Sequence, residues 1–598
     1  MPGPTHCVGQ RTPPTRRANM ASPPRMPLAV PGRQSRTRRR GRPPIHHIGP
    51  ERAHTTAAFA PDRRLTRSRL AAACLVGALA FGIVVTATAS PGPGLDPDAM
   101  SYLGAAKSLV RSGVYRVPTS SWAASDSSEP LSHFPPGFST AIAVPVAAGL
   151  SPVQSARLLV ALAAFCTWTG VVLLVAGAAG TRVGMMTALA ALATPALLNV
   201  HLSVLSEPLF LTALVAALAG MVTMADPRLD ARGRRRGAGI QAAAWTGLAV
   251  AAAVMLRYVG VSLVAAAAVA ALVGPGIRRR RWGARIVRCG LVAIPAACVL
   301  GAWVVRSTRL AGATSVREFG VYGHLGDTVR EGLRTATDWL VPAGCGDWRV
   351  PVAIALAICA VGLAADAWRQ RHRGSDAAAW LRQNPTIDPR RSAVLLAALT
   401  LVGLSYLVVV VASRVLADPN IPFDDRILAP LILLAEIAVG VGLARWWPGR
   451  TRAAHLSVAS VVAAWFVASV VTSSARVVYA LEDGNDFAGS DWRESPTMAW
   501  VQAPDGGATR VLYSNWPSAL YFRAGRAAHD LPDVTDALTL RRFRDRLTRS
   551  HGVLVGFSSP NTDLASPDTI ARILALRVVA RFSDGAVWGL ASDSTGSK

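Results

Sequence analysis

Cysteine is scarce and scattered, with seven in 598 residues. Cys74, Cys166, Cys289, Cys298 and Cys359 fall in or beside apolar runs, Cys7 lies in a basic arm, and Cys345 has no evident partner, so the pattern excludes a disulfide-stapled fold. The histidines lack HExxH-like spacing, and Asp96 with Asp98 offers too few ligands for a divalent cage, so no metal site is expected. No cofactor is expected either, with a loosely held Mg or Mn on a substrate phosphate left open. Also missing are a Ser-His-Asp order, a Walker loop and a dinucleotide fingerprint at any strand-to-helix junction. Charge is sparse at 16%, and acid is the rarer sign: 35 Asp and Glu stand against 63 Lys and Arg.

Apolar residues dominate what is present. A hydrophobic share of 51% and a mean hydropathy of +0.33, arranged in repeated Ala/Leu/Val runs, mark a polytopic α-helical membrane protein. Much of the net charge of +28 lies in residues 1–69, where about fifteen Arg face only Glu51 and Asp62. Pro and Ser lie between them, a composition that forms no core. This arm reads as a disordered cytoplasmic tail that fixes topology and touches anionic lipid headgroups, not as a nucleic-acid binder. Met20 and Met26 offer alternative starts. The basic region is too long for a signal peptide, so the run from Leu70 to Ala89 is expected to remain as an anchor.

Arg-rich loops at Asp226 to Gly237, Arg278 to Arg288, Arg369 to Arg391 and Trp446 to Arg452 are expected in the cytoplasm. Helices are then placed near 153–179, 184–202, 204–224, 239–256, 258–274, 289–305, 350–367, 392–412, 426–445 and 454–475. With the anchor this gives about eleven spans. Pro136 to Leu150 is too short to cross comfortably and reads as interfacial or re-entrant, its crossing being the alternative. The N-terminus is then cytoplasmic and the chain after Ser474 extracytoplasmic. Residues 476–598 change character. Arg510 to Ser514 and Gly552 to Phe557 read as buried strands and Ala537 to Arg549 as a helix, together a small extracytoplasmic α/β domain.

On this topology four polar groups share the outer side: Asp96 and Asp98 with Ser132-His-Phe-Pro-Pro-Gly137, then Ser206-Glu207-Pro208, then Arg257-Tyr258, then Asp424-Asp425-Arg426. Ionisable residues at membrane depth are costly, which makes their shared position a functional-site argument. A carboxylate at the outer mouth of the bilayer can take a proton from a hydroxyl, and nearby cations can hold an anionic group, which suits a membrane-embedded transferase better than a carrier. Asp98 has two readings, general base or N-cap of the helix from Ala99 to Val110. Arg257 and Arg426 either grip a phosphate in bidentate fashion, or snorkel or pair with Asp424 or Asp425. Tyr258 and Asp425 are grouped with them as substrate-binding, and Arg306, Arg309 and Arg317 extend the basic pocket. Glu207 either starts a helix or contacts a sugar hydroxyl or an Arg. His133 either orders its proline-rich loop or binds substrate.

The order Asp-x-x-x-Tyr, His-Phe-Pro-Pro-Gly, Ser-Glu-Pro-Leu-Phe, Leu-Arg-Tyr-Val-Gly, Arg-Ile-Leu-Ala-Pro, spread over residues 70–475, resembles the GT-C glycosyltransferase superfamily. Within it the motif order resembles the protein O-mannosyltransferase-like family 39 and the lipid A aminoarabinose transferases. The resemblance implies transfer of a hexosyl or pentosyl unit from a polyprenyl-phosphate-sugar donor to a protein, lipid or cell-wall glycan. It also implies Asp98 as base in the first outer loop, with Asp96 as partner or substitute; the family often has adjacent acids, whereas Pro97 separates these two. The alternatives from other classes are a polyprenyl-linked sugar or lipid transporter or flippase, for which no inverted repeat is apparent, and a noncatalytic envelope-assembly protein.

Overall fold

The computed structural model describes residues 63–225, 236–273, 282–311, 320–322, 325–341, 351–352, 354, 358, 361, 387–447, 450, 452–504, 510–561 and 564–590. The arm before residue 63, most of the expected span at 350–367, and most of the Arg-rich loops lie outside them.

Among the described residues eight helices are long and apolar enough to cross a membrane, or nine if one bent pair counts as a span. They are α1 (Arg63–Ala87), α4 (Pro152–Ala179), α7 (Glu207–Met224), α8 (Arg236–Leu256), α10 (Trp282–Ala311), α12 (Pro389–Leu416), α13 (Asp425–Trp446) and α14 (Arg452–Glu482). The expected span at 184–202 is the bent pair, α5 (Thr181–Ala193) and α6 (Pro195–Leu202), which turns by 67°. Pro195 supplies no N–H at the break, and Ser473 of α14 donates its hydroxyl to the freed Ala193 carbonyl at 2.7 Å. The expected span at 258–274 differs too. A 3-10 turn, Tyr258–Gly260, leads into α9 (Val261–Val273), where the described residues stop. The run after Pro136 is the short helix α3 (Gly137–Ala147).

Local chemistry explains the helix ends. Ser151 and Gln154 form a reciprocal capping box before α4, with Pro152 at the first helical position. Arg157 of α4 donates to Val85 O at 2.6 Å and to Thr88 Oγ1 at 3.0 Å, placing a cation where α1 exhausts its carbonyls. α1, α4, α7 and α8 pack side by side around Trp168, Phe210 and many buried Ala and Val. Small side chains let backbones approach where lipid supplies no hydrophobic drive between helices.

The remaining elements lie between and after the spans. They are α2 (Pro97–Ser112), β1 (Arg116–Val117), β2 (Thr119–Ser120), β3 (Glu129–Pro130), α11 (Leu325–Leu340), α15 (Ser490–Arg493), α16 (Pro496–Gln502), β4 (Leu512–Ser514), α17 (Pro517–Ala524), β5 (Ala528–Asp530), α18 (Ala537–Arg549), β6 (Val553–Phe557), α19 (Pro567–Ile573), β7 (Arg577–Arg581) and β8 (Gly585–Gly589). The expected C-terminal α/β region is present, with both expected strands and the helix Ala537–Arg549. Its six-stranded sheet runs β2-β5-β4-β6-β8-β7, parallel through β6 and antiparallel beyond. The first strand in that order comes from the loop after α2, three hundred and more residues earlier in the chain.

Candidate active site

The approach to α2 is threaded between two other segments. The Gly94 N–H donates to Leu202 O, the Val204 N–H donates to Gly94 O, each at 2.9 Å, and the Phe487 N–H donates to Leu95 O at 3.0 Å. A Cβ on Gly94 would stand 2.3 Å from Ser203 Oγ and 2.7 Å from Asp486 Oδ2, so glycine is the residue that fits. Two residues on, Asp96 caps α2, its Oδ1 accepting from the Ala99 N–H at 2.8 Å, with Pro97 in the first turn. The cap reading therefore belongs to Asp96 and not to Asp98. Asp98, one place into the helix, keeps its carboxylate for other contacts.

Those contacts converge on Arg426 in the first turn of α13. Its Nε donates to Glu207 Oε1, its Nη1 to Asp96 Oδ2 at 3.0 Å, and its Nη2 to Asp98 Oδ2. Asp424, by contrast, caps α13 by accepting from the Ile427 N–H at 2.9 Å. The expected pairing of Arg426 with Asp424 or Asp425 is thus replaced by pairing across the bundle. Glu207, 2% exposed at its side chain, also pairs with Arg257 Nη1, which follows the last turn of α8. Three carboxyl groups thus face two guanidiniums in one network. Ser206 Oγ lies 3.3 Å from Glu207 Oε2 and 3.4 Å from the Tyr102 hydroxyl, extending the network to α2.

Burial and then the neighbouring Asp98 charge push the Asp96 carboxyl up to about 8, against the opposing pull of Arg426 and the Ala99 N–H. Burial, with Asp98 and Glu207 adding to it, holds the Tyr102 phenol above its ordinary range, so it serves as a hydroxyl.

The other expected site residues stand apart from this network. Asp425 Oδ1 accepts from Trp339 Nε1 at 2.8 Å. The Tyr258 hydroxyl donates to Ser132 O at 3.4 Å and accepts from Trp303 Nε1 at 3.1 Å. His133 is exposed and edge-on to Phe134, whose ring lies 5.0 Å from that of Tyr102. Arg306 donates to Leu131 O at 2.9 Å and lies over Trp303 at 4.4 Å, bracing the loop before α3. Arg317 lies outside the described residues. Among the described residues no three His, Cys, Asp or Glu side chains are grouped to hold a metal. Asp486 was not anticipated at this site, although Gly484 and Asn485, turn residues after a long apolar helix, signal a tight turn there.

No family model matches the sequence, and no curated protein matches it. Among solved structures the chain is similar to ArnT from Cupriavidus metallidurans bound to undecaprenyl phosphate, at 15% identity over 90% of this chain and 100% of that one, with a TM-score of 0.45. It is also similar to the Archaeoglobus fulgidus oligosaccharyltransferase in the apo form, at 10% identity over 83% and 70% of the two chains, with a TM-score of 0.48. A third is AglB from the same organism with an inhibitory peptide and a dolichol-phosphate, at 10% identity over 81% and 69%, with a TM-score of 0.40.

Proposed function

We propose that this chain is an inverting membrane glycosyltransferase that moves one sugar from a polyprenyl-phosphate-sugar donor to a hydroxyl of a protein, lipid or glycan acceptor. The reading places the site at the outer face, the N-terminus in the cytoplasm and the C-terminal sheet outside. One observation carries it: a single guanidinium, Arg426, joins the first-loop carboxylates Asp96 and Asp98 to buried Glu207 at one end of the bundle.

In this reading the donor phosphate takes the Nη edge of Arg426, which suits two phosphate oxygens. That exchange releases Asp98 from its ion pair as the donor arrives. Asp98 then accepts the proton of the acceptor hydroxyl while the acceptor oxygen bonds to the anomeric carbon. The bond from that carbon to the phosphate oxygen breaks, and the electron pair leaves with the phosphate, held by Arg426. Glu207, buried between Arg426 and Arg257, orients both cations. Asp96 is committed to the helix cap and acts as a partner, not as the base.

The test is sugar transfer from a mixed polyprenyl-phosphate-sugar pool by membranes holding equal amounts of the native chain, Asp98→Asn or Asp96→Asn. A fall of 100-fold or more in Asp98→Asn, with Asp96→Asn retaining measurable transfer, is the expected outcome; removing a general base costs roughly 10²–10⁴-fold. Undiminished transfer by Asp98→Asn overturns the base assignment, and no transfer by any chain overturns the enzyme reading in favour of transport or assembly.

A further inference from the structure

Helix α11 has two unlike faces. Leu325, Val329, Leu333 and Leu340 are 58%, 49%, 62% and 43% exposed. Their spacing of i, i+4, i+8 and i+15 puts them on one stripe of roughly 80°. The flank next to this stripe turns into the protein, and the exposed charges Asp327, Arg334 and Asp338 stand opposite the stripe. Glu331 Oε1 accepts from the Phe423 N–H at 2.9 Å, and the Thr335 hydroxyl donates to Phe423 O. Trp339 Nε1 reaches Asp425, and Gly332 leaves room for the Phe423 ring, whose Cδ1 would be 3.2 Å from an added Cβ. The inward face of α11 therefore grips the turn from which α13 begins and Arg426 enters the carboxylate network.

The helix starts beside the end of a membrane span that itself exposes apolar side chains. On α12, Leu404, Val408 and Leu416 are 59%, 66% and 43% exposed. The chain leading to α11 is pinned to the end of α12, the Gly320 N–H donating to Leu416 O at 3.0 Å and the Tyr322 N–H to Val415 O at 2.9 Å. Sixteen residues rise only about 24 Å, and with five charged side chains the helix is too polar to cross. Its charges nearly balance, Asp327, Glu331 and Asp338 against Arg330 and Arg334, so it presents no basic face for anionic headgroups.

We propose that α11 lies in the plane of the membrane interface with this stripe seated among bilayer acyl chains, and that the seating steadies the Phe423–Asp425 turn. The occupant is bulk lipid, chosen because the approach to α11 is hydrogen-bonded to Val415 and Leu416 where the span α12 ends, which sets an exposed apolar stripe with nearly balanced charges at the bilayer boundary. The attraction is apolar, so it is indifferent to anionic lipid and to salt.

The test uses the full chain in phosphatidylcholine vesicles, with a photoreactive benzophenone side chain placed at position 333 in one preparation and at position 330 in another. Lipid adducts several-fold more abundant at 333 than at 330, unchanged when anionic lipid is added, are expected. Equal labelling at the two positions, or adducts at 333 to a second copy or to another segment of this chain, overturns the lipid assignment. Amide exchange in Leu325→Ser with Leu333→Ser reads the steadying role: several-fold faster exchange at Phe423 to Ile427 is expected, and unchanged exchange there overturns it. Neither readout depends on sugar transfer, so each stands or falls apart from the proposed activity.

Discussion

At the scale of single residues, the decisive feature is Glu207. Its carboxylate is 2% exposed and is held by two guanidiniums at once. Removing it leaves Arg257 and Arg426 partly desolvated without their shared counter-charge, whereas an exposed pair such as Asp327 with Arg330 is already screened by water. Glu207→Ala is therefore expected to cost about 3–5 kcal/mol, and Asp327→Ala less than about 1 kcal/mol, as read from unfolding midpoints in the same detergent. Equal effects from the two would contradict the burial argument. Asp96 gives a pH dependence of definite sign. Its pKa rises from 3.8 to about 8 on folding, so between those values the folded chain holds a proton that the unfolded chain has released. The resulting stability is complete below about 4, declines as pH rises and is gone above about 8. The unfolding midpoint of the native chain should fall more between pH 5 and pH 9 than that of Asp96→Asn, and identical falls would show that Asp96 takes up no extra proton on folding.

At the scale of elements, the site is made by the turns that end helices and not by the helices themselves. Gly94 passes between Ser203 and Asp486 and so fixes where α2 begins. In Gly94→Val the added side chain has to push at least one of these segments away, with Asp96, Asp98 and Arg426 all left in the sequence. Transfer should drop by roughly 100-fold, the scale of a 1 Å misplacement at a reacting centre, with expression and helical content unchanged; full activity in this variant would show that the threading does not position Asp98. Much of this was legible in advance because an apolar run of span length and a carboxylate or arginine at its end are local signals. Asp96, Asp98, Glu207, Arg257 and Arg426 were all expected together for that reason. What escaped was geometry. Pro97 was read as a separator of two acids, yet as the residue that opens α2 it lets one guanidinium reach both. Thr194-Pro195 interrupts a run whose hydropathy is continuous, so a single straight span was expected where α5 and α6 bend. Asp486 carries no motif, and its arrival beside Gly94 depends on the length and direction of α14, which hydropathy does not encode.

At the scale of the whole molecule, the boundary between membrane part and C-terminal sheet is crossed by the chain itself. A domain drawn from residue 476 onward omits β2, whose Thr119 and Ser120 pair with Ala528 and His529 at the edge of the sheet. Such pairing joins segments remote in sequence through backbone hydrogen bonds, and no local pattern announces it in a two-residue strand. Side chains reinforce it: Ser120 Oγ lies 2.9 Å from His529 Nδ1, the Trp122 ring stands 5.9 Å from Phe543, and Arg546 donates to the Ala124 carbonyl. The loop that follows α2 is thereby tied to α18 at its far end while α2 carries Asp98 at its near end. A chain with Trp122→Ala and Arg546→Ala loses two of these three side-chain ties, keeping the Ser120–His529 contact, the spans and the ion-pair network. Limited proteolysis should then cleave residues 113–136 several-fold faster than in the native chain, with the fragments identified by mass, while cleavage elsewhere stays unchanged. If that loop is instead cut at the native rate, β2 pairing with the Ser120–His529 contact holds it, and Ser120→Pro, which removes both a backbone donor from the edge strand and the Ser120 hydroxyl, becomes the substitution that has to release it.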